Sequence, residues 1–202
     1  KRQVSDNKFS FRQYEQTFTQ PNYQINKKMK KTIYKPSSKN IEKAVTILDN
    51  NGLIGFPTET VYGLGALATS DIAVTKIYNI KMRPFHNPLI IHVSSLEQAK
   101  QYGVFNEYSQ KLAKKFWPGP LTLLVNKSSK SRISSIATSN LQSVALRVPS
   151  DPVALRILKK YKKPIAAPSA NLSGTVSATM ASHVFNDFGS SIEMIIDGDK
   201  CG

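Results

Sequence analysis

The sequence predicts an α/β domain. Short apolar runs of strand length alternate with amphipathic helical patterns, and the chain contains no internal repeat. With 202 residues and 40% hydrophobic content, it can bury one sizeable core. The predicted strands are residues 53–56, 88–93, 121–125, 144–148, 165–167 and 192–196. We therefore expect a single domain in which helices cover a sheet.

The helices are predicted from apolar residues that recur at i, i+3, i+4 and i+7. These residues are Ile41, Ala44, Val45 and Leu48; Val74, Ile77 and Tyr78; Tyr108, Leu112 and Phe116; Ala154, Ile157, Leu158 and Tyr161; and Ala181, Val184, Phe185 and Phe188. Ser94 and Glu97 form a capping-box pair that starts one further helix. The motif Ser150-Asp-Pro152 predicts a capped start for the helix that follows it.

Charge divides the chain into two parts. The formal net charge is +15, and residues 1–39 hold ten Lys or Arg against Asp6 and Glu15. Residues 1–36 lack a sustained apolar period, so we predict a poorly ordered basic extension followed by a domain at 37–202. A net positive charge indicates anionic partners. A solvated basic tail and a nucleic-acid-binding patch both fit this composition.

The cysteine content and the apolar runs limit the class of protein. The chain has one cysteine, Cys201, which excludes an intrachain disulfide and a thiolate metal cluster. A single cysteine without a disulfide partner fits a reducing compartment, and we expect a cytoplasmic location. No apolar run approaches the roughly 20 residues of a membrane span, and the first residues lack the pattern of a secretory signal.

Hydroxyl and cationic side chains concentrate where predicted strands end. The loop after residue 56 carries Thr58 and Thr60, and the loop after residue 167 carries Ser169 and Ser173. Open α/β sheets bind ligands beyond strand ends. Lys81 and Arg83 are two residues apart, and Pro84 favours an extended Arg83, so both cations are predicted on one side of the chain. With Arg147, which is embedded in a strand, they predict a site that grips phosphate groups. Such a site suits phosphoryl or nucleotidyl transfer.

Several other chemistries lack their motif. No P-loop, paired Cys/His metal motif or nucleophile elbow is present. Gly63-Leu-Gly65-Ala-Leu-Ala68 matches the loose dinucleotide-binding pattern, but it has no clean strand before it and no acid about 20 residues beyond. Residues 126–143 are long for a connection inside a domain, which is typical of a lid, a binding loop or a disordered segment.

Five separated motifs resemble the YrdC-like domain of L-threonylcarbamoyladenylate synthases. They are FPTETVYGLG (56–65), KMRPFHNPLIIH (81–92), FWPGPLTLLV (116–125), VALRVPSD (144–151) and APSANLSGTVS (167–177). The resemblance spans roughly residues 37–200 and keeps the family's order. It implies a twisted mixed sheet, flanked by helices, with a basic concave ligand cleft.

The resemblance also implies a reaction: threonine, bicarbonate and ATP give threonylcarbamoyl-adenylate and pyrophosphate. This adenylate is the intermediate for N6-threonylcarbamoyladenosine in tRNA, so transferase proteins that modify tRNA are implied as downstream partners. Mg²⁺ is expected to accompany ATP and not to occupy a cage of protein ligands.

Position by position, the resemblance assigns site residues. Lys81 and Arg83 correspond to catalytic cations. The residues that resemble threonine contacts are Thr60, His92, Arg147 and Ala167. Those that resemble ATP contacts are Arg83, Asn87, Ser143, Ser169 and Ser177. Without the motif, His92 also fits a hydrogen-bonded core residue at a strand end. Glu59 is given no catalytic role, because amine carboxylation needs little beyond proximity.

The sequence departs from the family at its end, where relatives continue past Gly202 into a further strand. We therefore expect a domain truncated at its C-terminal side. Two rival functions stay open. One is an RNA-binding YrdC-like module without synthase activity, which predicts RNA affinity that falls steeply with salt. The other is a carbamoyl-phosphate-handling domain of the hydrogenase-maturation type, whose preceding Cys-containing segments have no counterpart in residues 1–36.

Overall fold

The structure, a computed structural model, describes residues 32–202, so residues 1–31 of the predicted extension lie outside it. The elements are, in chain order, β1 (Ile33–Tyr34), α1 (Ser38–Asp49), β2 (Ile54–Phe56), β3 (Gly63–Leu67), α2 (Asp71–Lys81), β4 (Ile90–His92), α3 (Leu96–Ala99), α4 (Glu107–Phe116), β5 (Leu123–Asn126), β6 (Ser143–Arg147), α5 (Pro152–Tyr161), β7 (Ile165–Ala166), α6 (Ala181–Phe188), a 3₁₀ turn (Gly189–Ser191) and β8 (Met194–Ile196). Among the helices in this part of the chain, none has the length and apolar character that crossing a bilayer requires.

All eight strands form one mixed sheet in the order β1-β8-β2-β3-β7-β4-β6-β5. Strand β3 lies near the middle and runs antiparallel to both of its neighbours, β2 and β7. Strand β4 is antiparallel to β7 and parallel to β6, with His92 opposite Arg147. The predicted mixed sheet flanked by helices is therefore confirmed, and its register brings two predicted site residues side by side.

The two strands that the sequence did not predict have short or glycine-containing sequences. Strand β1 pairs with β8 through Ile33 and Tyr34, so the predicted domain boundary at residue 37 was placed too late. Two residues are too few to show alternation. Strand β3 contains Gly63 and Gly65, and glycine has low strand propensity. Its glycines leave room for an aromatic ring, because a Cβ at Gly65 would lie 2.8 Å from Cε1 of Phe56.

The core contains two clusters of buried residues. In one cluster, α1 and α5 pack on each other and on β2 and β8, burying Ile41, Leu48, Ile54 and Ile157. The other cluster includes α2, α6 and the β4–β6 side of the sheet. The apolar periodicity predicted the buried faces of α1, α2, α5 and α6. On α4 the predicted face is largely exposed, with Tyr108 at 71% and Phe116 at 44%.

The long connection between β5 and β6 is anchored to the domain. The backbone N–H of Leu89 donates to the carbonyl of Ala137 at 2.8 Å, and the Ser134 hydroxyl donates to Asp71 Oδ1 at 2.5 Å. Ile133 and Ala137 are buried in the core. This segment therefore packs as part of the domain, although it contains no helix or strand between residues 127 and 142.

Asp151 is expected to stabilise α5 as its N-cap. Its Oδ1 accepts from the N–H groups of Val153 and Ala154 at 2.8 and 2.9 Å, and Pro152 stands at the first turn. Burial raises the pKa of this carboxyl. We expect Asp151→Ala to lower the free energy of unfolding by about 1 kcal/mol in urea denaturation. Asp151→Asn keeps an acceptor oxygen without the half-buried charge and should lose less; an equal loss in both variants would contradict the cap.

Candidate functional site

Two hydroxyl-rich loops lie next to each other at one end of β3. The threonine loop (residues 57–62) leads into β3, and the serine loop (residues 168–177) follows β7. A β-bridge joins Gly63 to Ser169, the Leu64 N–H donates to the Pro168 carbonyl at 2.9 Å, and the Ala170 N–H donates to the Tyr62 carbonyl at 2.7 Å. The sheet therefore brings together two motifs that are more than 100 residues apart in the chain.

A cavity of about 290 Å³ opens between these loops and the strands β4 and β6. Its lining residues are Thr58, Thr60, Val61, Tyr62, Gly63, Arg83, Pro88, Ile90, His92, Arg147, Ala167, Pro168 and Ser169. Six predicted site residues are among them: Thr60, Arg83, His92, Arg147, Ala167 and Ser169. Two guanidinium groups and several hydroxyls line this space without any carboxylate. The cavity therefore suits an anionic ligand.

The hydrogen bonds in the threonine loop orient the Thr60 hydroxyl. Thr58 Oγ1 donates its single proton to the Val61 carbonyl at 2.7 Å, so in the 3.0 Å contact between the two hydroxyls Thr60 is the donor. Thr60 Oγ1 also accepts from Arg147 Nη2 at 3.2 Å. With its proton used, Thr60 can offer a ligand only its remaining lone pair. It is therefore suited to accept a hydrogen bond from an amine or a hydroxyl.

Arg147 is held by three contacts at the wall of the cavity. Its Nη2 lies 2.8 Å from Glu59 Oε1, the same nitrogen donates to Thr60, and Nε donates to the Gly119 carbonyl at 3.3 Å. The Glu59 contact has ion-pair distance without hydrogen-bond geometry, and among the described residues neither carboxylate oxygen has a hydrogen-bond partner. Glu59, which the sequence left without a role, therefore balances the charge of Arg147.

His92 is a neutral imidazole in the floor of the cavity. Burial, together with the positive charge of Arg147, lowers its pKa to about 3. Its Nδ1 has no hydrogen-bond partner among the described residues, and its ring makes an edge contact with Phe56 at a centroid distance of 6.1 Å. The alternative of a hydrogen-bonded core residue is therefore met in part, because His92 is buried but its Nδ1 has no partner among the described residues. A bound ligand could supply the missing partner.

The neutrality of His92 predicts a loss of stability in acid. The unfolded chain protonates this imidazole near pH 6.5, whereas the folded protein does so near pH 3, so the unfolded state binds more protons between these values. We expect the free energy of unfolding to fall as the pH is lowered below 6.5, with a limiting slope of about 1.4 kcal/mol per pH unit. Urea denaturation between pH 7 and pH 5 measures it. His92→Gln should flatten the slope; an unchanged slope in that variant would assign the effect to other groups.

Lys81 occupies a different position from the one predicted. It ends α2 as a buried residue, and its Nζ donates to the carbonyl oxygens of Ser169, at 2.7 Å, and of Asn171. Met82 then reverses the chain with φ 50°, so Lys81 and Arg83 do not share one side of an extended segment. Burial lowers the pKa of Lys81 to about 8. The helix that ends at Lys81 thus decides the direction of this side chain, whatever extended conformation Pro84 favours at Arg83. Lys81 is not among the residues that line the cavity; it supports the serine loop.

Arg83 reaches the cavity from a turn that fixes its guanidinium. Its Nε and Nη2 donate to the carbonyl oxygens of Asn87 and Pro88, each at 3.1 Å. The Asn87 carbonyl also accepts from the Tyr78 hydroxyl at 3.0 Å, while the Asn87 side chain is exposed. Asn87 therefore contacts Arg83 through its backbone, outside the set of residues that line the cavity.

The remaining predicted ATP contacts lie outside the lining of the cavity. Ser143 is the first residue of β6, four positions before Arg147, which corresponds to about 13 Å along a strand. Ser177 is half-buried in the serine loop, next to Ala178, whose carbonyl accepts from the Tyr62 N–H at 2.8 Å. The roles of Asn87, Ser143 and Ser177 stay predictions.

Tyr62 is a lining residue that the sequence did not single out. Its hydroxyl donates to the Asp199 carbonyl at 2.8 Å and accepts from the Gly198 N–H at 3.2 Å, and burial raises its pKa. The threonine loop is thereby tied to the segment after β8. The only sequence signal for Tyr62 was its position within the FPTETVYGLG motif. Its role was not predictable from that motif, because the partners of its hydroxyl lie 136 and 137 residues further along the chain.

The sequence of this chain is similar to those of known proteins. The Sua5/YciO/YrdC family model, described as "Telomere recombination", matches residues 46–202. A threonylcarbamoyl-AMP synthase of Pyrococcus abyssi is 47% identical over 161 residues, which cover 79% of this chain and 47% of that protein. A threonylcarbamoyl-AMP synthase of Bacillus subtilis is 45% identical over 163 residues, covering 80% of this chain and 47% of the relative.

The fold of a solved relative is also similar. The crystal structure of Pyrococcus abyssi Sua5 complexed with L-threonine matches with a TM-score of 0.79 and 44% identity, over 84% of this chain and 50% of that one. The chain thus spans about half the length of the curated relatives it matches first.

Proposed function

The chain belongs to the Sua5/YciO/YrdC family, and from that premise we propose that it is a nucleotidyltransferase that forms L-threonylcarbamoyladenylate and pyrophosphate from L-threonine, bicarbonate and ATP. The observation that carries this proposal is the shared cavity. Arg83 and Ser169 line it together with Thr60, His92 and Arg147, so phosphate-binding groups and groups suited to a small polar molecule border the same space.

The proposed reaction needs two bonds to form in sequence. The threonine amine attacks carbon dioxide, which bicarbonate releases with loss of hydroxide, and the amine loses a proton as the carbamate forms. A carbamate oxygen then attacks the α-phosphorus of ATP, and the bond from the α-phosphorus to the bridging oxygen breaks to release pyrophosphate. Carbamates decompose readily in water, so a site that holds both substrates together favours the second step.

We propose that the threonine end of the cavity is the part lined by Thr60, His92 and Arg147. The free lone pair on Thr60 can accept from the amine or hydroxyl of threonine, and the Arg147 guanidinium, although paired with Glu59, can donate hydrogen bonds to its carboxylate. His92 offers a neutral ring nitrogen without a protein partner. The Ala167 backbone, directly after the last residue of β7, completes the threonine end of the cavity. The Pyrococcus abyssi relative was solved in complex with L-threonine, which supports L-threonine as a ligand in this proposal.

We assign the ATP end to Arg83 and Ser169. The Arg83 guanidinium still has N–H groups free after its two backbone contacts, which suits a phosphate oxygen. Ser169 lines the same cavity from the serine loop, and Lys81 supports this loop by donating to the carbonyl oxygens of Ser169 and Asn171. In this proposal Arg83 stabilises the charge that develops on the phosphates, and Lys81 positions the serine loop.

Mg²⁺ is proposed to enter with ATP. Within residues 32–202 no three His, Cys, Asp or Glu side chains are grouped as a metal site, and the lining of the cavity holds no carboxylate. The lining residues therefore fit a Mg²⁺ ion that ATP oxygens and water coordinate, and they do not fit an ion held in a cage of protein ligands. When bound, the ion would neutralise phosphate charge; the two guanidinium groups of the chain act beside it.

The product would serve N6-threonylcarbamoyladenosine formation in tRNA, which requires a separate transferase to consume the adenylate. A cytoplasmic setting fits this use, and the free thiol of Cys201 fits a reducing compartment.

Threonine-dependent release of pyrophosphate tests the proposal. The protein is incubated with ATP and bicarbonate, with and without L-threonine, and pyrophosphate is measured. We expect release to require threonine and bicarbonate together. Release that ignores threonine, from a protein shown to be folded by circular dichroism, would reject the synthase. An RNA-binding module without synthase activity would instead give no release and an RNA affinity that falls steeply with salt.

A further inference from the structure

A second cavity, of about 380 Å³, lies at the other end of β3. Its lining includes Thr69 and Pro164, which lie beyond the paired residues Leu67 and Ile165, whereas the first cavity begins at Gly63. The span from Gly63 to Leu67 corresponds to about 13 Å of strand. The two cavities have no lining residue in common. We call the second one the lysine cavity.

Four cations line the lysine cavity: Lys100, Lys130, Arg132 and Lys163. No carboxylate lines it. Within residues 32–202, Lys163 is the only one of the four that forms an ion pair, with Asp49 at 2.6 Å, and Lys100 donates to the amide oxygen of Gln110 at 3.0 Å. Four cations with one paired carboxylate, Asp49, leave a net positive charge in a small space, so an anion bound among them would be stabilised.

Backbone hydrogen bonds hold the segments that carry these cations. The Ser128 N–H donates to the Tyr102 carbonyl at 2.9 Å, and a β-bridge joins Gly103 to Lys127. On the other side, the Ala68 N–H donates to the Pro164 carbonyl at 3.0 Å. The cations thus extend from walls that are already fixed, and a ligand would order side chains without ordering the backbone.

Another concavity shows that cationic lining residues alone do not indicate an anion site. It is lined by Arg156, Lys159 and Lys160, but it also contains Glu42, which pairs with Lys160 at 3.0 Å. Arg156 there donates to the Pro36 carbonyl at 2.8 Å. The lysine cavity differs because no carboxylate is among its lining residues and only Lys163 of its four cations forms an ion pair within residues 32–202. The Tyr102 and Ser128 side chains also add an aromatic ring and a hydroxyl to the lining.

We propose that the lysine cavity is a second anion site that binds a phosphate-bearing ligand, separate from the proposed catalytic cavity. Phosphate is the chemistry that several adjacent cations and hydroxyls recognise, and a nucleotide and a nucleic-acid backbone both present it. The ring of Tyr102 could stack on a base in either ligand. The site takes no part in the proposed adenylation.

Amide NMR during titration with inorganic tripolyphosphate tests the site. We expect saturable shifts of the amides in residues 100–102 and 128–132, in addition to those that line the first cavity. The double variant Lys130→Ala/Arg132→Ala should weaken the affinity at the second site about tenfold or more, because two charge-assisted contacts are lost. The matched variant Arg156→Ala/Lys159→Ala removes the same two residue types elsewhere and should change it less than about twofold. Shifts that do not saturate, or equal weakening in both variants, would overturn the proposal.

Two further titrations identify the source of the phosphate. ATP that binds the lysine cavity more tightly than tripolyphosphate would indicate a nucleotide site, and a short single-stranded RNA that binds more tightly than both would indicate a nucleic-acid site. Failure of both to shift these amides would overturn the proposal. Lys130→Ala/Arg132→Ala should keep threonine-dependent pyrophosphate release within about twofold of the original rate, so its outcome is independent of the synthase test.

Discussion

Replacing Arg83 with alanine is expected to reduce kcat/KM for threonine-dependent pyrophosphate release by about 100-fold to 1,000-fold. The proposed role of Arg83 is to stabilise charge on the phosphates, and removal of one such preorganised donor costs this much in other enzymes. Its guanidinium borders the cavity from a turn where two carbonyl oxygens fix it. Steady-state rates over a range of ATP and threonine concentrations measure the loss.

Arg156→Ala is the matched control for this variant. Arg156 is also an arginine that donates to a backbone carbonyl, but it lies away from the proposed catalytic cavity. It should retain the original rate within about twofold, while Arg83→Lys should recover only part of the loss because lysine cannot bind phosphate bidentately. Equal rates in Arg83→Ala and the original protein would remove Arg83 from the mechanism.

Replacing Arg147 with methionine is expected to lower the free energy of unfolding by about 3 kcal/mol or more. The change leaves the Glu59 carboxylate without its only ion-pair partner among the described residues, and the two side chains are 19% and 9% exposed for Glu59 and Arg147 respectively. An unpaired charge in such a place is costly. Urea denaturation at neutral pH measures the change, and threonine-dependent activity should disappear in the same variant.

A double-mutant cycle isolates the ion pair. Glu59→Gln/Arg147→Met removes both charges and should recover a large part of the stability without recovering activity. Lys163→Met is the matched control, because its partner Asp49 is 43% exposed and such pairs contribute at most about 1 kcal/mol. If Glu59→Gln/Arg147→Met is no more stable than Arg147→Met, the cost would come from lost packing and not from the carboxylate.

The amino-acid pattern predicted the elements whose periodicity is strong. Five helices followed from apolar spacing, α3 followed from a capping pair, and six strands followed from short apolar runs. Helices α1 and α5, for example, have buried faces of the expected period. Strand β1 has two residues and β3 carries two glycines, so neither contains a readable alternation. Their existence depends on the partners β8 and β2, which the local sequence does not specify.

The structure brings together the predicted side chains that lie near strand ends, but it places Lys81 elsewhere and gives Glu59 a contact that was not predicted. Arg147, His92 and Thr60 share one cavity, as the motifs implied. Lys81 was predicted beside Arg83, but a helical turn points it towards carbonyl oxygens of the serine loop. The importance of Glu59 comes from a contact with a residue 88 positions away, which its own neighbourhood does not reveal.

If the proposed function holds, the bridge between Gly63 and Ser169 would couple the two proposed substrates. Because the threonine and serine loops exchange backbone hydrogen bonds at this point, a displacement of either loop is transmitted to the other. The proposed substrate that binds first would therefore set the width of the space that the second one enters. By thermodynamic reciprocity, the factor by which threonine changes the affinity for ATP must equal the factor by which ATP changes the affinity for threonine.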